Sequence, residues 1–203
     1  MSGKGAPSAP KVDRRVRRTR NALGDALIAL MQEKPFESIT VQHVLDRADI
    51  GRSTFYAHYR DKDDLFLSDM EDFLDLMSNL LQRRQEVSNR VAPVREFFAH
   101  ADEMRHLQTA LIAADKMRDF VEMAQGYFAR SIEQRLASLS ASQAIPAAQR
   151  NAMAHAFAGS LLSLMSWWIA QSSPASPAEM DELYHQMVWS GVAAGSERSK
   201  PTR

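Results

Sequence analysis

Apolar residues recur every three or four positions along most of this chain, which is the spacing of amphipathic helices. The first such stripe consists of Leu23, Ala26, Leu27, Leu30 and Met31. Pro35 should end this helix, because proline disfavours the helical conformation in the residue before it. No segment alternates between apolar and polar residues as a strand would. The pattern predicts an all-α fold.

Two short helices separated by a turn are predicted between Ile39 and Lys62. Thr40 is the expected N-cap of the first, which carries the apolar positions Val41, Val44, Leu45 and Ala48. The sequence Asp49-Ile50-Gly51 then interrupts the pattern with two residue types that tolerate turn conformations. In the second short helix only Phe55 and Tyr59 form an apolar stripe. This arrangement is a helix-turn-helix pattern.

Longer helices are predicted in the rest of the chain. One begins at Asp61 or Lys62 and carries apolar residues as far as Leu81, with acidic residues in its first turn, where the helix dipole favours them. Pro93 opens the next helix, a shorter one covers Met104 to Ala114, and a long one covers Asp115 to about Leu139. Two apolar helices end the chain, one on each side of the sequence SSPASP.

The polar face of the second short helix carries the candidate chemistry. It presents side chains that contact phosphates and base edges, and none of them is acidic: Arg52, Ser53, Thr54, Tyr56, Ala57 and His58. Arginine can donate two hydrogen bonds to guanine, serine and threonine can bond bases or phosphates, and alanine can contact a thymine methyl group. The alternative is an ordinary solvated surface helix.

Charge is distributed unevenly along the chain, although the formal net charge is zero. Residues 1–60 contain 11 Lys and Arg against 6 Asp and Glu, a net charge of +5, and the remainder carries −5. Five arginines are clustered ahead of the first apolar stripe: Arg14, Arg15, Arg17, Arg18 and Arg20. We expect a flexible basic arm here, which would release counterions from DNA. The alternative for residues 1–12 is a solubilising tail.

The N-terminal segment resembles the TetR family of bacterial transcriptional regulators over about residues 14–70. The resemblance rests on the following residues at the family's spacing: Phe36, Ile39, Thr40, Val41, Val44, Ala48, Ile50, Thr54, Phe55, Tyr56, His58, Tyr59, Lys62 and Leu65. The family usually has Gly where this chain has Asp49, and Ser or Thr where it has Gly51. The recognition helix therefore lacks a side-chain cap.

The resemblance implies a three-helix DNA-binding head followed by a larger helical bundle for regulation and dimerisation. We expect an arm at residues 1–13, the head at 14–61, the effector-binding and dimerisation domain at 62–195, and a disordered tail at 196–203. The expected DNA contacts are Arg17, Arg18, Thr40, Val41, Gln42, Arg52, Ser53, Thr54, Tyr56, Ala57, His58, Tyr59 and Lys62. Tyr56, His58, Tyr59 and Lys62 should hold phosphates.

The two C-terminal helices look like the dimerisation pair of the same family. Small residues that allow close helix approach alternate there with large apolar ones. The expected interface residues are Phe157, Gly159, Ser160, Leu161, Leu164, Met187 and Gly191. The alternative is a purely intramolecular core. A homodimer would read a palindrome, because two recognition helices related by a twofold axis contact two half-sites.

Soft and aromatic side chains concentrate in the middle of the chain, where they could line a pocket for an apolar or amphipathic effector. The candidates are Phe73, Met77, Phe97, Phe98, Met104, Met117, Phe120, Met123, Tyr127 and Trp168. The alternative is that they form plain core. The sequence predicts a repressor released from its operator by such an effector, and the rival hypothesis is a DNA-binding adaptor that responds to no ligand and acts through a protein partner.

Other function classes are disfavoured by composition. The chain has no cysteine, so it has no disulfide framework or thiolate metal site. Its six histidines show no metal-site spacing, and no nucleophile motif or glycine-rich phosphate loop is present, so we expect no enzyme, no cofactor and no metal. The polar, basic first 20 residues are no secretory signal, and no uninterrupted apolar run of membrane-spanning length occurs. A cytoplasmic bacterial protein is expected.

Overall fold

The computed structural model describes residues 11–105, 111, 112, 114, 116–171 and 175–198. In these residues the regular structure is helical, as the sequence pattern predicts. The chain divides into two compact units between Asp69 and Met70, a boundary that falls within one helix. We describe each unit separately.

The first unit contains three helices and the beginning of a fourth. These are α1 (Lys11–Glu33), α2 (Val41–Ala48), α3 (Arg52–Tyr56) and α4 (Lys62–Ser78), with a short 3-10 turn at Phe36–Ser38. Helix α1 packs against α2. Their apolar stripes meet in a core that includes Leu23, Leu27, Val44 and Phe55, each at most 1 % exposed. The stripe that predicted the first helix is therefore its buried face.

The second unit is a helical bundle. It contains the rest of α4, α5 (Leu80–Arg83), α6 (Val94–Glu103), α7 (Met117–Ser138), α8 (Ala147–Ile169) and α9 (Pro177–Arg198). Helices α7 and α8 form the most extensive pair, and α6 packs against α9. Trp168, Tyr184, Phe98 and Phe128 are the largest side chains of its core, and each is at most 1 % exposed.

Several predicted boundaries differ from the observed ones. The basic cluster lies inside α1, which begins at Lys11, rather than in an arm ahead of it. Arginine is a good helix former, so nothing in residues 14–20 prevents α1 from extending through them. Helix α9 continues to Arg198, past the expected boundary at residue 195. Residues 1–10 of the expected arm, 199–203 of the expected tail and most of the short helix expected from Met104 to Ala114 lie outside the described residues.

Helix α8 is long and apolar enough, by length and composition, to cross a membrane. Core helices of soluble proteins also meet this criterion. One side of α8 is buried against the bundle through Ala154, Ala158, Leu161, Leu162, Met165 and Trp168. Its length and apolar character are therefore accounted for partly by packing within the second unit.

Candidate nucleic-acid interface

Helix α2 begins at a capping box formed by Thr40 and His43. The Thr40 hydroxyl oxygen accepts from the His43 backbone N–H at 3.2 Å, and His43 Nδ1 accepts from the Thr40 backbone N–H at 3.2 Å. Lys34 Nζ lies 3.0 Å from the same Nδ1. Thr40 is thus the N-cap that the sequence predicts. The role of His43 was missed, because glutamate or glutamine usually occupies that position of a capping box.

The turn after α2 depends on Asp49, which adopts the left-handed conformation with φ 54° and ψ 46°. The Asp49 N–H bonds Leu45 O, and the left-handed conformation turns the next N–H, of Ile50, onto the same oxygen at 3.2 Å, which ends the helix. Gly51 then caps α3 with an extended backbone at φ −70° and makes no side-chain cap bond. A Cβ atom at Gly51 would meet nothing within 4 Å. The absence of a side chain at this position is therefore not required by packing.

Helix α3 is anchored by two aromatic side chains. Phe55 is completely buried and Tyr59 is 6 % exposed, with their ring centroids 5.7 Å apart. Both lie in the core of the first unit, as their spacing predicts. Because these anchors fix one side of a short helix, the remaining side chains of α3 face away from the core.

The opposite face of α3 is exposed and contains no acid. Arg52, Ser53, Thr54, Tyr56 and Ala57 are exposed, whereas His58 is half-buried. The Arg52 guanidinium lies 5.8 Å from the centroid of the Tyr56 ring, which is itself 49 % exposed. Within the described part of the chain, Arg52 forms no ion pair. Its guanidinium can therefore reach a ligand without first breaking a salt bridge.

Nearby cations are paired with carboxylates of the same unit. Arg47 donates to both carboxylate oxygens of Glu33 at 3.0 and 2.8 Å, and this contact lowers the pKa of Glu33. Arg60 pairs with Asp64 at 3.2 Å, and the hydrogen bonds that Arg60 donates lower the pKa of Asp64. These pairs distinguish Arg47 and Arg60 from Arg52.

Two expected phosphate contacts are engaged inside the first unit. The Tyr59 hydroxyl accepts from Arg20 Nε at 3.1 Å, and the side chain belongs to the core. Lys62 Nζ donates to Phe36 O at 3.1 Å and lies 3.6 Å from the centroid of the Phe36 ring. Both roles depend on residues distant in sequence, so local spacing could not reveal them. We therefore leave Tyr59 out of the proposed contact surface, whereas the remaining protons of the Lys62 ammonium can still bind phosphate.

The other expected contacts lie on α1 and at the start of α2. Arg17 and Arg18 are exposed, as are Thr40 and Gln42, and Val41 is half-buried. The Gln42 amide donates to Asp46 at 2.7 Å along α2. Arg20, in contrast, is half-buried and points into the unit, toward Tyr59 and Ser68.

The candidate pocket residues lie in the second unit, and several belong to its core. Met77, Phe97, Phe98 and Trp168 are buried, and the Phe98 and Trp168 ring centroids are 5.1 Å apart. The other candidates are partly exposed: Phe73, Met104, Met117, Phe120, Met123 and Tyr127. A cleft of about 360 Å³ lies elsewhere in this unit. It is lined by Leu81, Gln82, Gln85, Glu86, Val91, Ser131, Gln134, Arg135 and Ser138.

The candidate dimer residues lie on α8 and α9 with different exposures. Met187 and Gly191 are exposed, and Phe157, Gly159, Ser160 and Leu164 are half-buried. Leu161 is completely buried inside its own bundle. Leu161 therefore cannot contact a second chain without unpacking this core, which corrects its assignment to the interface. Three large apolar side chains on these helices are exposed: Trp167 at 55 %, Leu183 at 43 % and Met187 at 44 %.

Among the described residues, no group of three or more histidine, aspartate or glutamate side chains is placed to hold a metal ion.

Comparison with known proteins finds a family match within the first unit. Residues 23–68 match the family model described as bacterial regulatory proteins, tetR family. The similarity to the TetR family thus covers this domain, which is less than a quarter of the chain. The matched segment contains α2, the turn and α3, so the exposed face of α3 lies on a DNA-binding domain of the helix-turn-helix type.

A curated relative is the uncharacterized HTH-type transcriptional regulator YxbF of Bacillus subtilis (strain 168). It is 41 % identical over 56 residues, which are 27 % of this chain and 15 % of that protein. The chain thus matches only a small part of that relative's length.

Several solved structures share the fold over most of this chain at low sequence identity. The TetR transcriptional regulator from Streptococcus agalactiae 2603V is 24 % identical, with a TM-score of 0.59 over 87 % of this chain and 97 % of that one. The dihydroxyacetone kinase operon activator DhaS is 15 % identical, with a TM-score of 0.63 over 87 % and 97 % of the two chains. The repressor AlkX from Dietzia sp. strain DQ12-45-1b is 16 % identical, with a TM-score of 0.57 over 95 % and 100 %. These likenesses show the fold alone.

Proposed function

We propose that this protein is a homodimeric, sequence-specific DNA-binding transcriptional regulator that inserts α3 into the major groove. The observation that carries the proposal is the exposed, acid-free face of α3, held in place by the buried side chains of Phe55 and Tyr59. Arg52, Ser53, Thr54 and Ala57 read base edges, while Tyr56 and His58 contact the phosphate backbone. Further contacts are proposed for Arg17, Arg18, Thr40, Val41, Gln42 and Lys62.

Selection of genomic DNA fragments by the purified full-length chain tests this proposal, followed by binding measurements on the recovered site. Arg52→Ala should weaken binding by about 1–3 kcal/mol and relax base preference at one position of each half-site. Arg95→Ala removes an exposed arginine of the second unit and serves as the matched control. Equal affinities of the two variants for the site would exclude α3 as the reading helix.

Tyr56→Phe is the sharper variant, because it removes one hydroxyl group and keeps the ring. It should weaken binding without changing helix content or oligomeric state, since the Tyr56 side chain is half exposed and its ring contacts are retained. Unchanged affinity in both Tyr56→Phe and His58→Ala would mean that the phosphate contacts lie elsewhere on the first unit.

Dimerisation is proposed through α8 and α9. Leu183 and Met187, four residues apart on α9, are large apolar side chains that stay exposed, and the exposed Gly191 continues the same face. Trp167 adds an exposed indole on α8. A second copy of the same pair would complete a four-helix interface and place two recognition helices on a palindromic operator.

Repression relieved by a small apolar or amphipathic effector is the proposed mode of regulation. The support is the cluster of partly buried aromatic and methionine side chains on α4 and α7, including Phe73, whose ring stacks on that of His100 with the centroids 4.6 Å apart. An effector that prefers one arrangement of the second unit would change operator affinity through α4. A screen for compounds that release the operator complex tests this mode of regulation.

The rival hypothesis is a ligand-independent adaptor that acts through a protein partner. Both hypotheses place the protein in a bacterial cytoplasm.

A further inference from the structure

Arg20 is half-buried, whereas the other four arginines of the basic cluster are exposed. Its Nε–H donates to the Tyr59 hydroxyl at 3.1 Å, and its Nη2 donates to Ser68 Oγ at 2.8 Å. The two acceptors lie 39 and 48 residues away in the sequence. One guanidinium thus joins α1 to Tyr59, three residues after the end of α3, and to the first half of α4.

The next turn of α1 approaches α4 closely. Gly24 lies four residues after Arg20, on the same face of the helix, and it is buried. A Cβ atom at this position would lie 2.3 Å from a carboxylate oxygen of Asp69, closer than any real contact. Position 24 therefore lies against the Asp69 side chain of α4, and one turn earlier the guanidinium of Arg20 joins the same two helices.

Helix α3 depends on this arrangement for its orientation. It has only five residues, and its N-cap Gly51 supplies no side-chain bond. Its placement depends on the buried side chain of Phe55, and the Tyr59 ring packs against Phe55 from the C-terminal side. Since Arg20 holds the hydroxyl of Tyr59, a change at Arg20 is transmitted to Phe55 and to the exposed face of α3.

We propose that Arg20 is a positioning residue for DNA recognition, which fixes α3 through Tyr59 instead of contacting phosphate. This inference rests on the proposed function. The two roles differ in their dependence on salt. An arginine that binds a phosphate releases a counterion, so its removal lowers the salt slope of binding by about 0.9. Removal of a positioning arginine changes the operator affinity and the base preference but leaves the salt slope of binding unchanged.

Three variants of the full-length chain separate these roles: Arg20→Gln, Arg20→Lys and Tyr59→Phe. Each is titrated against the selected operator and against unrelated DNA over a range of salt concentrations. We expect each variant to weaken operator binding about tenfold, the size of one lost hydrogen bond to a charged group, with an unchanged salt slope. Lysine should not rescue binding, because its single ammonium cannot span two acceptors as the guanidinium fork does.

The double variant Arg20→Gln/Tyr59→Phe should bind no more weakly than Arg20→Gln alone, because Arg20→Gln already removes the contact that Tyr59→Phe removes. Arg17→Gln, three residues earlier on an exposed part of the same helix, is the comparator. It should lower the salt slope. Full rescue by Arg20→Lys, or a lowered slope in Arg20→Gln, would overturn the positioning role.

A measurement without DNA keeps this inference separate from the proposed function. Amide hydrogen exchange across residues 52–59 should become at least about tenfold faster in Arg20→Gln and in Tyr59→Phe, while exchange in α8 stays as in the unaltered chain. One outcome is that the unaltered chain shows no preference for any DNA sequence while amide exchange in α3 is still faster in the two variants. In that case the proposed function fails, but the conclusion that Arg20 positions α3 stands. Unchanged exchange in α3 overturns the positioning role. Should Arg20→Gln fail to fold, Tyr59→Phe, which lacks a single oxygen, provides the same comparison.

Discussion

Two residues at the turn before α3 depart from the TetR pattern, and each has a local physical consequence. Asp49 occupies a left-handed conformation in which most side chains are strained, although aspartate tolerates it better than most. Gly51 leaves α3 without a side-chain cap in an open position that could hold one. The turn therefore contains one non-glycine residue in the left-handed conformation, Asp49, and one residue that gives α3 no side-chain cap, Gly51.

Substitution at Asp49 should show how much this conformation costs. Asp49→Ala should lower the free energy of unfolding by about 1 kcal/mol, because alanine has no polar group to favour the left-handed region. Asp49→Gly should leave it unchanged or raise it slightly, since glycine adopts this conformation without strain. Asp49→Asn removes the charge alone and is the control. Chemical denaturation measures all three, and equal stability of Ala and Gly variants would contradict the account.

Serine at position 51 should stabilise the first turn of α3. Gly51→Ser adds a hydroxyl that can accept from a free backbone N–H of that turn, and no atom stands within 4 Å of the new Cβ. The expected gain is a few tenths of a kcal/mol in the free energy of unfolding. Slower amide exchange at residues 53–55 would accompany this gain. A destabilised variant would mean that the open space around Gly51 is not accessible to a side chain.

At the scale of elements, the segment between α5 and α6 is fastened to α9 through His185. The Val91 backbone N–H donates to His185 Nε2 at 3.0 Å, and His185 Nδ1 lies 2.8 Å from Asp181 O. This geometry requires neutral imidazole with its proton on Nδ1. Arg90 meanwhile pairs with Asp181 and Glu96. Burial lowers the pKa of His185 below its ordinary value, against the opposing effect of Asp181.

Stability should therefore fall on mild acidification. Burial lowers the pKa of His100 as well, so the unfolded chain takes up protons at both histidines before the folded chain does. Below the unfolded pKa of about 6.5, the free energy of unfolding should decrease by up to about 1.4 kcal/mol per pH unit for each group. The free energy of unfolding should level off once the pH is below the lowered pKa values of these two histidines in the folded chain.

Denaturation curves across this pH range test the prediction. His185→Gln should weaken the pH dependence, and His155→Gln, at an exposed position of α8, should leave it unchanged. A pH dependence that is identical in both variants would mean that protonation of His185 does not limit stability.

Features that depend on neighbouring residues could be predicted from the sequence, whereas features that depend on distant segments could not. Local spacing predicted α2, its Thr40 cap, the end of α1 ahead of Pro35 and the buried pair Phe55 and Tyr59, because these depend on neighbouring residues. The roles of Arg20, the Tyr59 hydroxyl and Leu161 depend on contacts between distant segments, which charge and residue spacing do not reveal. The start of α1 was placed too late because arginine favours helix as readily as it serves in a basic arm.

At the scale of the whole molecule, the dimer interface is the prediction on which operator recognition depends. Met187→Glu and Leu183→Glu place a charge on an already exposed position, so the bundle itself should remain folded. Each should shift the chain toward monomers in analytical ultracentrifugation, since a dimer would have to bury the new carboxylate. Affinity for a palindromic site should fall in parallel. Val87→Glu is the control, because Val87 is 96 % exposed and lies outside α8 and α9. Dimers unaffected by both α9 variants would place the interface elsewhere.

The most direct test of the central claim is an equilibrium titration of the full-length chain on its selected DNA site and on a scrambled site of the same composition, at one salt concentration. The account predicts binding at least about a thousandfold tighter to the selected site, with two chains bound per site and loss of that preference in Arg52→Ala. Equal affinity for the two DNA sequences, or a preference that survives in Arg52→Ala, would contradict it.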